Sequence, residues 1–361
     1  AWYENDGGEN VTAHTVTTSA NGASSVYAID VDGDGDIDLL SASPSDNKIA
    51  WYENNGSEIF TAHTVSTQAY GASSVYAFDM DNDGDIDFLA AFESYDTITW
   101  YENDGNENFT SYVVTTAVNN PKSVYALDVD DDGDIDLLSA SANDDKIAWY
   151  QNDGSENFTV HTITTTANGA SSVYAIDVDS DGDVDFLSAS SYDDKIAWYE
   201  NDGSEVFVAH TITLSADGAT SVHAMDMDDD GDIDLLSASS NDNKIAWYEN
   251  DGSENFTVHI TSTQAYGASS VYGTDIDGDG GVDLISASSS SDKISWYKNQ
   301  TVLYYNDGDG AVTLHSNVSI SNTDDSIGRA IVEFINGYMG GQDELVFTNT
   351  DKITGDWNQS N

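Results

Sequence analysis

The sequence predicts an all-β fold, a β-propeller of six to seven four-stranded blades with a short C-terminal β segment. Three observations predict it. The motif Asp-x-Asp-x-Asp-Gly-x-x-Asp recurs six times, beginning at Asp30, Asp79, Asp128, Asp177, Asp226 and Asp275, always 49 residues on. Trp2, Trp51, Trp100, Trp149, Trp198, Trp247 and Trp296 keep the same period without a slip, and a period of this length belongs to solenoids or propellers. Each unit then divides into four short runs rich in Val, Ile, Tyr, Trp and Thr, parted by Gly, Asn and Asp. Such runs are strands, and four antiparallel strands per repeat make a propeller blade.

The chain enters in mid-unit. Ala1-Trp2-Tyr3-Glu4-Asn5 copies Ala50-Trp51-Tyr52-Glu53-Asn54, so strands C and D come first and the chain reads as a piece of something longer. The first whole unit places strand A over Ser25–Ile29 and the Asp loop after it. Strand B covers Ile37–Ala42, strand C Lys48–Glu53 and, past an Asn-Asn-Gly-Ser turn, strand D Phe60–Val65. Five whole units follow one another, and a sixth supplies A, B and C from Val271 to Asn299. The N-terminal strand D could close that last blade to give six, or the first strands could belong to a seventh blade lacking A and B; the sequence leaves both open. After Asn299 the register breaks, dividing the chain into a propeller over 1–300 and a partial, truncated all-β module over 301–361. Its strand-like runs are Ala311–Leu314, Ala330–Ile335 and Glu344–Phe347, and Asp307 and Asp309 read as a polar turn or, second, a further cation site.

The Asp loop carries the chemistry. In Asp30-Val-Asp32-Gly-Asp34-Gly35-Asp36-Ile-Asp38, carboxylates stand at positions 1, 3, 5 and 9. Gly35 permits a sharp turn, and position 7 can offer its backbone carbonyl. Hard oxygen donors in this number suit Ca²⁺; Mg²⁺ demands stricter octahedral geometry and keeps its waters. The candidate ligands are therefore Asp30, Asp32, Asp34, Asp36 and Asp38, then Asp79, Asp81, Asp83, Asp85 and Asp87, then Asp128, Asp130, Asp132, Asp134 and Asp136. They continue through Asp177, Asp179, Asp181, Asp183 and Asp185, then Asp226, Asp228, Asp230, Asp232 and Asp234, then Asp275, Asp277, Asp279, Gly281 and Asp283. Only Gly281 lacks a carboxylate, at the position expected to use backbone. An EF-hand needs a bidentate Glu at position 12 and flanking helices; position 12 is Ser41 and the flanks read as strands.

The repeat resembles the FG-GAP or VCBS unit, the calcium-binding blade also found in the propeller of integrin alpha chains. The resemblance covers about residues 1–300. It implies a ring of blades with one structural Ca²⁺ in each A–B loop, about six ions in all. The tail is similar to cadherin-like or adhesin modules of large surface proteins.

Composition bounds the function. The 361 residues carry 66 Asp plus Glu against 9 Lys plus Arg, for a net charge of −57. That surface repels nucleic acid and anionic membranes. With no cysteine, metal rather than disulfide is the expected staple. Calcium loops of modest affinity fill where Ca²⁺ is millimolar, which points to an extracellular or cell-surface setting. No apolar run is long enough to span a bilayer, so no membrane insertion is expected.

Antiparallel order puts the A–B and C–D turns on one face and the more variable B–C and D–A turns on the other. Tyr70, Tyr95, Tyr192 and Tyr266 fall in those variable turns. They are the candidate ligand-binding residues, suited to stack on a sugar or anchor a protein partner. The strand C Trp-Tyr pairs are expected between blades. His14, His63, His161, His210 and His259, with Tyr112 at the corresponding position, are expected to pack or hydrogen-bond. No catalytic residue is identified: the only Arg is Arg329 in the tail, and Lys48, Lys146, Lys195, Lys244 and Lys293 recur with the blade. The expected function is a non-catalytic calcium-binding module that binds a protein or glycan, within a larger multidomain chain. A polysaccharide lyase or glycosidase propeller and a structural spacer are the alternatives.

Overall fold

The computed structural model describes residues 1–7, 10–204 and 206–299. The strands and polar turn expected over 301–361 lie outside the described residues. Every regular element described is a β-strand. The chain opens with the hairpin β1 (Trp2–Asn5) and β2 (Val11–His14). The first blade is β3 (Ser25–Ile29), β4 (Asp38–Ser43), β5 (Lys48–Asn54) and β6 (Phe60–Ser66). The second is β7 (Ala72–Phe78), β8 (Asp87–Phe92), β9 (Thr97–Asn103) and β10 (Phe109–Thr115). The third is β11 (Pro121–Leu127), β12 (Asp136–Ser141), β13 (Lys146–Asn152) and β14 (Phe158–Thr164). The fourth is β15 (Ala170–Ile176), β16 (Asp185–Ser190), β17 (Lys195–Asn201) and β18 (Phe207–Thr213). The fifth is β19 (Ala219–Met225), β20 (Asp234–Ser239), β21 (Lys244–Asn250) and β22 (Phe256–Ser262). The sixth is described as β23 (Ala268–Thr274), β24 (Asp283–Ser288) and β25 (Lys293–Tyr297).

Each blade is an up-and-down antiparallel sheet in chain order, as short polar turns between consecutive strands require. The expected strands fall within a residue or two of the observed ones.

The core lies between blades. Trp51 and Leu40 of the first blade pack with Val75, Ala77 and Phe88 of the second, and Trp149 likewise packs with Val173 and Phe186 of the next blade. The expected placement of the strand C tryptophans therefore holds. Fully burying an aromatic of this size is the largest apolar contribution a single residue makes. Its outer face is covered from strand D: Trp51 pairs with His63 across the strands, and the rings stack at 4.5 Å. His63 Nε2 lies 2.7 Å from Glu53. The strand D histidines thus seal the blade edge, as expected for repeated packing positions.

The N-terminal hairpin does not complete the sixth sheet, since neither β1 nor β2 pairs with β25. The Asn299 side chain donates to the Met227 carbonyl of the fifth blade at 3.1 Å. Asn5 makes the same bond to Ile276 of the sixth, at 2.5 Å. The hairpin therefore follows the sixth blade as the sixth follows the fifth, with outer C and D strands alone. The inner strand of the first blade is correspondingly open. Val26 is 66% exposed, whereas Val75, at the same position but backed by the preceding blade, is 4% exposed.

Candidate metal centres and ligand-binding face

Local sequence dictates each loop. The apolar residue at position 2 is a buried anchor, as with Val31, Met80, Val129, Val178 and Met227. Gly35 adopts φ 94° and its counterparts Gly84, Gly133, Gly182, Gly231 and Gly280 lie between 91° and 101°, a region that L side chains avoid. The chain then folds back on its own carboxylates. Asp30 accepts the Gly35 N–H at 2.9 Å, and Asp34 accepts that of Asp36 at 2.9 Å.

The position 9 carboxylates are the structural keystones. Asp38 is fully buried and accepts the Val31 N–H at 3.0 Å and the Asn54 N–H at 2.6 Å. One side chain thereby ties the start of the loop to the end of strand C. Equivalent bonds recur at Asp87, Asp136, Asp185, Asp234 and Asp283. Burial pushes Asp87, Asp185 and Asp234 up to about 7 and Asp136 up to about 6.

Positions 1 and 3 converge with position 9 or 5. Ligand oxygens of Asp30, Asp32 and Asp38 lie within 4.8 Å of one another, as do those of Asp128, Asp130 and Asp136, and of Asp177, Asp179 and Asp185. Asp79, Asp81 and Asp83, and Asp226, Asp228 and Asp230, form the corresponding groups. Desolvation and neighbouring carboxylates push Asp32, Asp81, Asp179 and Asp228 above the usual range. One oxygen of Asp128 and one of Asp177 are buried without a hydrogen-bond partner. Converging, mutually repelling hard oxygens with buried unsatisfied acceptors fit a divalent cation of the Ca²⁺ type.

Position 7 behaves differently. The Asp36 carboxylate lies against Gly56, where an added Cβ would come within 2.4 Å of it. Asp85, Asp134, Asp183 and Asp232 sit in the same way against Gly105, Gly154, Gly203 and Gly252. These side chains brace the C–D turn, so a cation held in the loop would meet position 7 through its backbone carbonyl. The contact also puts the A–B and C–D turns on one face, as antiparallel order requires.

One graded feature was not read from the sequence. The strand C residue after Trp-Tyr stands beside position 3 of its own loop. It is Glu53, Glu102, Glu200 or Glu249 in four blades, each raising the adjacent Asp. It is Gln151 in the third, donating to Asp130 at 2.5 Å. In the sixth it is Lys298, which pairs with Asp277 and lies 3.7 Å from Asp279; this ammonium holds Asp277 below the usual carboxylate range. The signal was a Glu, Gln or Lys at a fixed repeat position.

A second unread feature is an aromatic ladder on the innermost strands. Tyr27, Tyr76, Tyr125, Tyr174, His223 and Tyr272 follow one another at ring separations of 4.4 to 5.0 Å. Burial lowers His223 to about 4.

On the other face, Tyr70 and Tyr95 meet edge to face at 5.1 Å. Tyr192 lies over Gly169, and Tyr266 is exposed in the turn before β23. The four tyrosines therefore form one pair and two separate positions rather than one patch. No helix of the described residues is long and apolar enough to cross a membrane.

Comparisons with known proteins agree with the fold. An Agrocybe aegerita lectin, described for recognition of non-reducing terminal N-acetylglucosamine, shares the fold at TM-score 0.53 and 16% identity, over 72% of this chain and 74% of that one. Virginiamycin B lyase from Staphylococcus aureus, in a catalytically inactive form with quinupristin, matches at TM-score 0.54 and 14% identity, over 79% and 84%. A Lactobacillus plantarum protein matches at TM-score 0.54 and 12% identity, over 80% and 88%. At such identities the likeness is one of fold. No curated protein matches the sequence. A family model described as FG-GAP-like repeat matches residues 30–90, 79–139, 128–188, 177–237 and 226–286, each match running from one Asp loop through the next. The chain belongs to the FG-GAP-like repeat family.

Proposed function

We propose that the chain is a non-catalytic, calcium-stabilised binding propeller that works outside the cell. The observation that carries this reading is the convergence of carboxylates at positions 1, 3 and 5 or 9 in blade after blade. Their charges repel one another when no cation is bound, so binding to the native state offsets repulsion and adds directly to folding stability. Calcium is the fitting ion because the donors are hard oxygens on a loop with glycine-given latitude. The extracellular setting follows from the millimolar calcium that loops of modest affinity need. Binding of a protein or glycan is assigned to the face opposite the ions, where blade-to-blade variation is concentrated.

Thermal melts of the full chain with calcium and with a chelator test the reading. The account expects the chelated protein to melt many degrees lower and to recover when calcium is restored. Equal midpoints, or recovery with magnesium alone, would reject calcium as the structural ion.

A further inference from the structure

The second blade departs from the others at one place, and the departures are concerted. In four blades an Asp two residues before the strand C lysine pairs with it: Asp46–Lys48 at 3.4 Å, Asp144–Lys146 at 3.2 Å, Asp193–Lys195 at 3.0 Å and Asp242–Lys244 at 2.7 Å. The same ammonium caps a carbonyl of the preceding D–A turn, as Lys48 does Ser19 at 2.7 Å and Lys195 does Thr166 at 2.9 Å. The lysine stem and head thus fill the seam between successive blades. In the second blade the Asp is Tyr95 and the Lys is Thr97. The strand B serine that elsewhere meets the strand C tyrosine hydroxyl, as Ser139 meets Tyr150 at 3.1 Å, is Ala90. The Tyr101 hydroxyl instead meets Ser66 of the first blade.

These exchanges leave a cleft of about 670 Å³ in the seam between the first and second blades. Its wall includes Ser66, Gln68, Phe92, Tyr95, Thr97 and Thr99, and none of its lining side chains is charged. In a chain with 66 acidic residues, a neutral cleft rich in hydroxyl groups is a local exception. Tyr95 is 54% exposed and is held edge-on by Tyr70, so an aromatic ring stands ready at the cleft. The volume is that of a small-ligand site.

We infer that this cleft is a carbohydrate site for neutral hexose oligomers. A pyranose presents a C–H face that packs on an aromatic ring such as Tyr95. Its hydroxyls both donate and accept, matching Thr97, Thr99, Ser66 and the Gln68 amide. Uronic and sulfated sugars are disfavoured by a chain whose formal net charge stays strongly negative, −57 before any cation binds. The inference rests on the binding-module reading above and narrows it to one seam and one ligand class.

The test is calorimetric titration of the calcium-loaded full chain with neutral hexasaccharides of glucose and mannose. Tyr95→Asp combined with Thr97→Lys restores the ion pair that four other blades carry, so it closes the cleft with a pairing the fold already accommodates. Tyr95→Ala, which removes only an exposed ring, is the second variant. The expected result is binding by the native chain that weakens at least tenfold in both variants, with thermal midpoints preserved. Failure of every oligomer to bind, or binding that neither variant weakens, overturns the cleft assignment while leaving calcium-dependent stability intact. A peptide that binds and is lost with Tyr95→Ala overturns the carbohydrate class. Loss of calcium-dependent stability itself would overturn the parent reading instead.

Discussion

Two aspartates of one loop, two residues apart, have opposite importance. Asp136 is fully buried and accepts N–H groups from Val129 at 3.2 Å and Asn152 at 2.7 Å, both on buried residues. Asp136→Ala orphans both donors, at about 1–3 kcal/mol each. Relief of a buried charge offsets part of this at neutral pH, so the metal-free cost should settle near 2 kcal/mol. In calcium at one hundred times the dissociation constant, losing the bound ion adds about 2.7 kcal/mol. Asp134, by contrast, braces Gly154 at the C–D turn, and Asp134→Ala keeps the carbonyl that position 7 contributes. Its cost should stay at about 0.5 kcal/mol. Because repeat units are held mainly by their neighbours, the effect should concentrate in the third blade. Hydrogen exchange over β12 and β13, with and without calcium, reads it locally. Equal loss of protection in the two variants, or an Asp136→Ala defect that calcium does not enlarge, would refute the division of labour between positions 7 and 9.

Other expectations follow from the same geometry. Burial holds Asp87, Asp185 and Asp234 at about 7 and Asp136 at about 6, above the unfolded value of about 3.9. Without metal this contribution is fully present below about pH 4 and is lost as pH rises through 6 to 7. The chelated protein should thus melt higher at pH 5 than at pH 8, while the calcium-loaded protein shows the reverse; a chelated protein more stable at pH 8 contradicts the sign. Lys298 already neutralises part of the sixth loop, so that loop should fill last, and Lys298→Glu should tighten it in a calcium titration. Trp149→Ala, which empties the seam between the third and fourth blades, should cost about 3–5 kcal/mol by urea denaturation.

Much of the fold was legible because each repeat restates it. Strand C of the first blade was expected over Lys48–Glu53 and runs Lys48–Asn54, since Ile49, Trp51 and Tyr52 must be buried and a polar turn follows. What escaped was whatever depends on which blades meet. The place of the N-terminal hairpin rests on a bond from Asn5 to Ile276, and no local pattern joins residues so far apart. Among the site residues, motif spacing marked the loop aspartates. It could not show that position 7 faces a turn while position 9 holds two backbone donors, because both are simply Asp in sequence. Tyr95 stood out as an aromatic in a variable turn, but Thr97 did not. Its importance lies in the lysine it replaces and the ion pair the other blades form there.

The central claim is that cations held by the Asp loops stabilise the ring, and its most direct measurement is calorimetric titration of the chelator-stripped protein with calcium. Saturation is expected at about one ion per loop, with five similar sites of modest affinity and a weaker sixth, and with thermal stability rising as they fill. An absence of binding heat, or binding that leaves the melting temperature unchanged, would contradict it and reduce the aspartate loops to solvated turns.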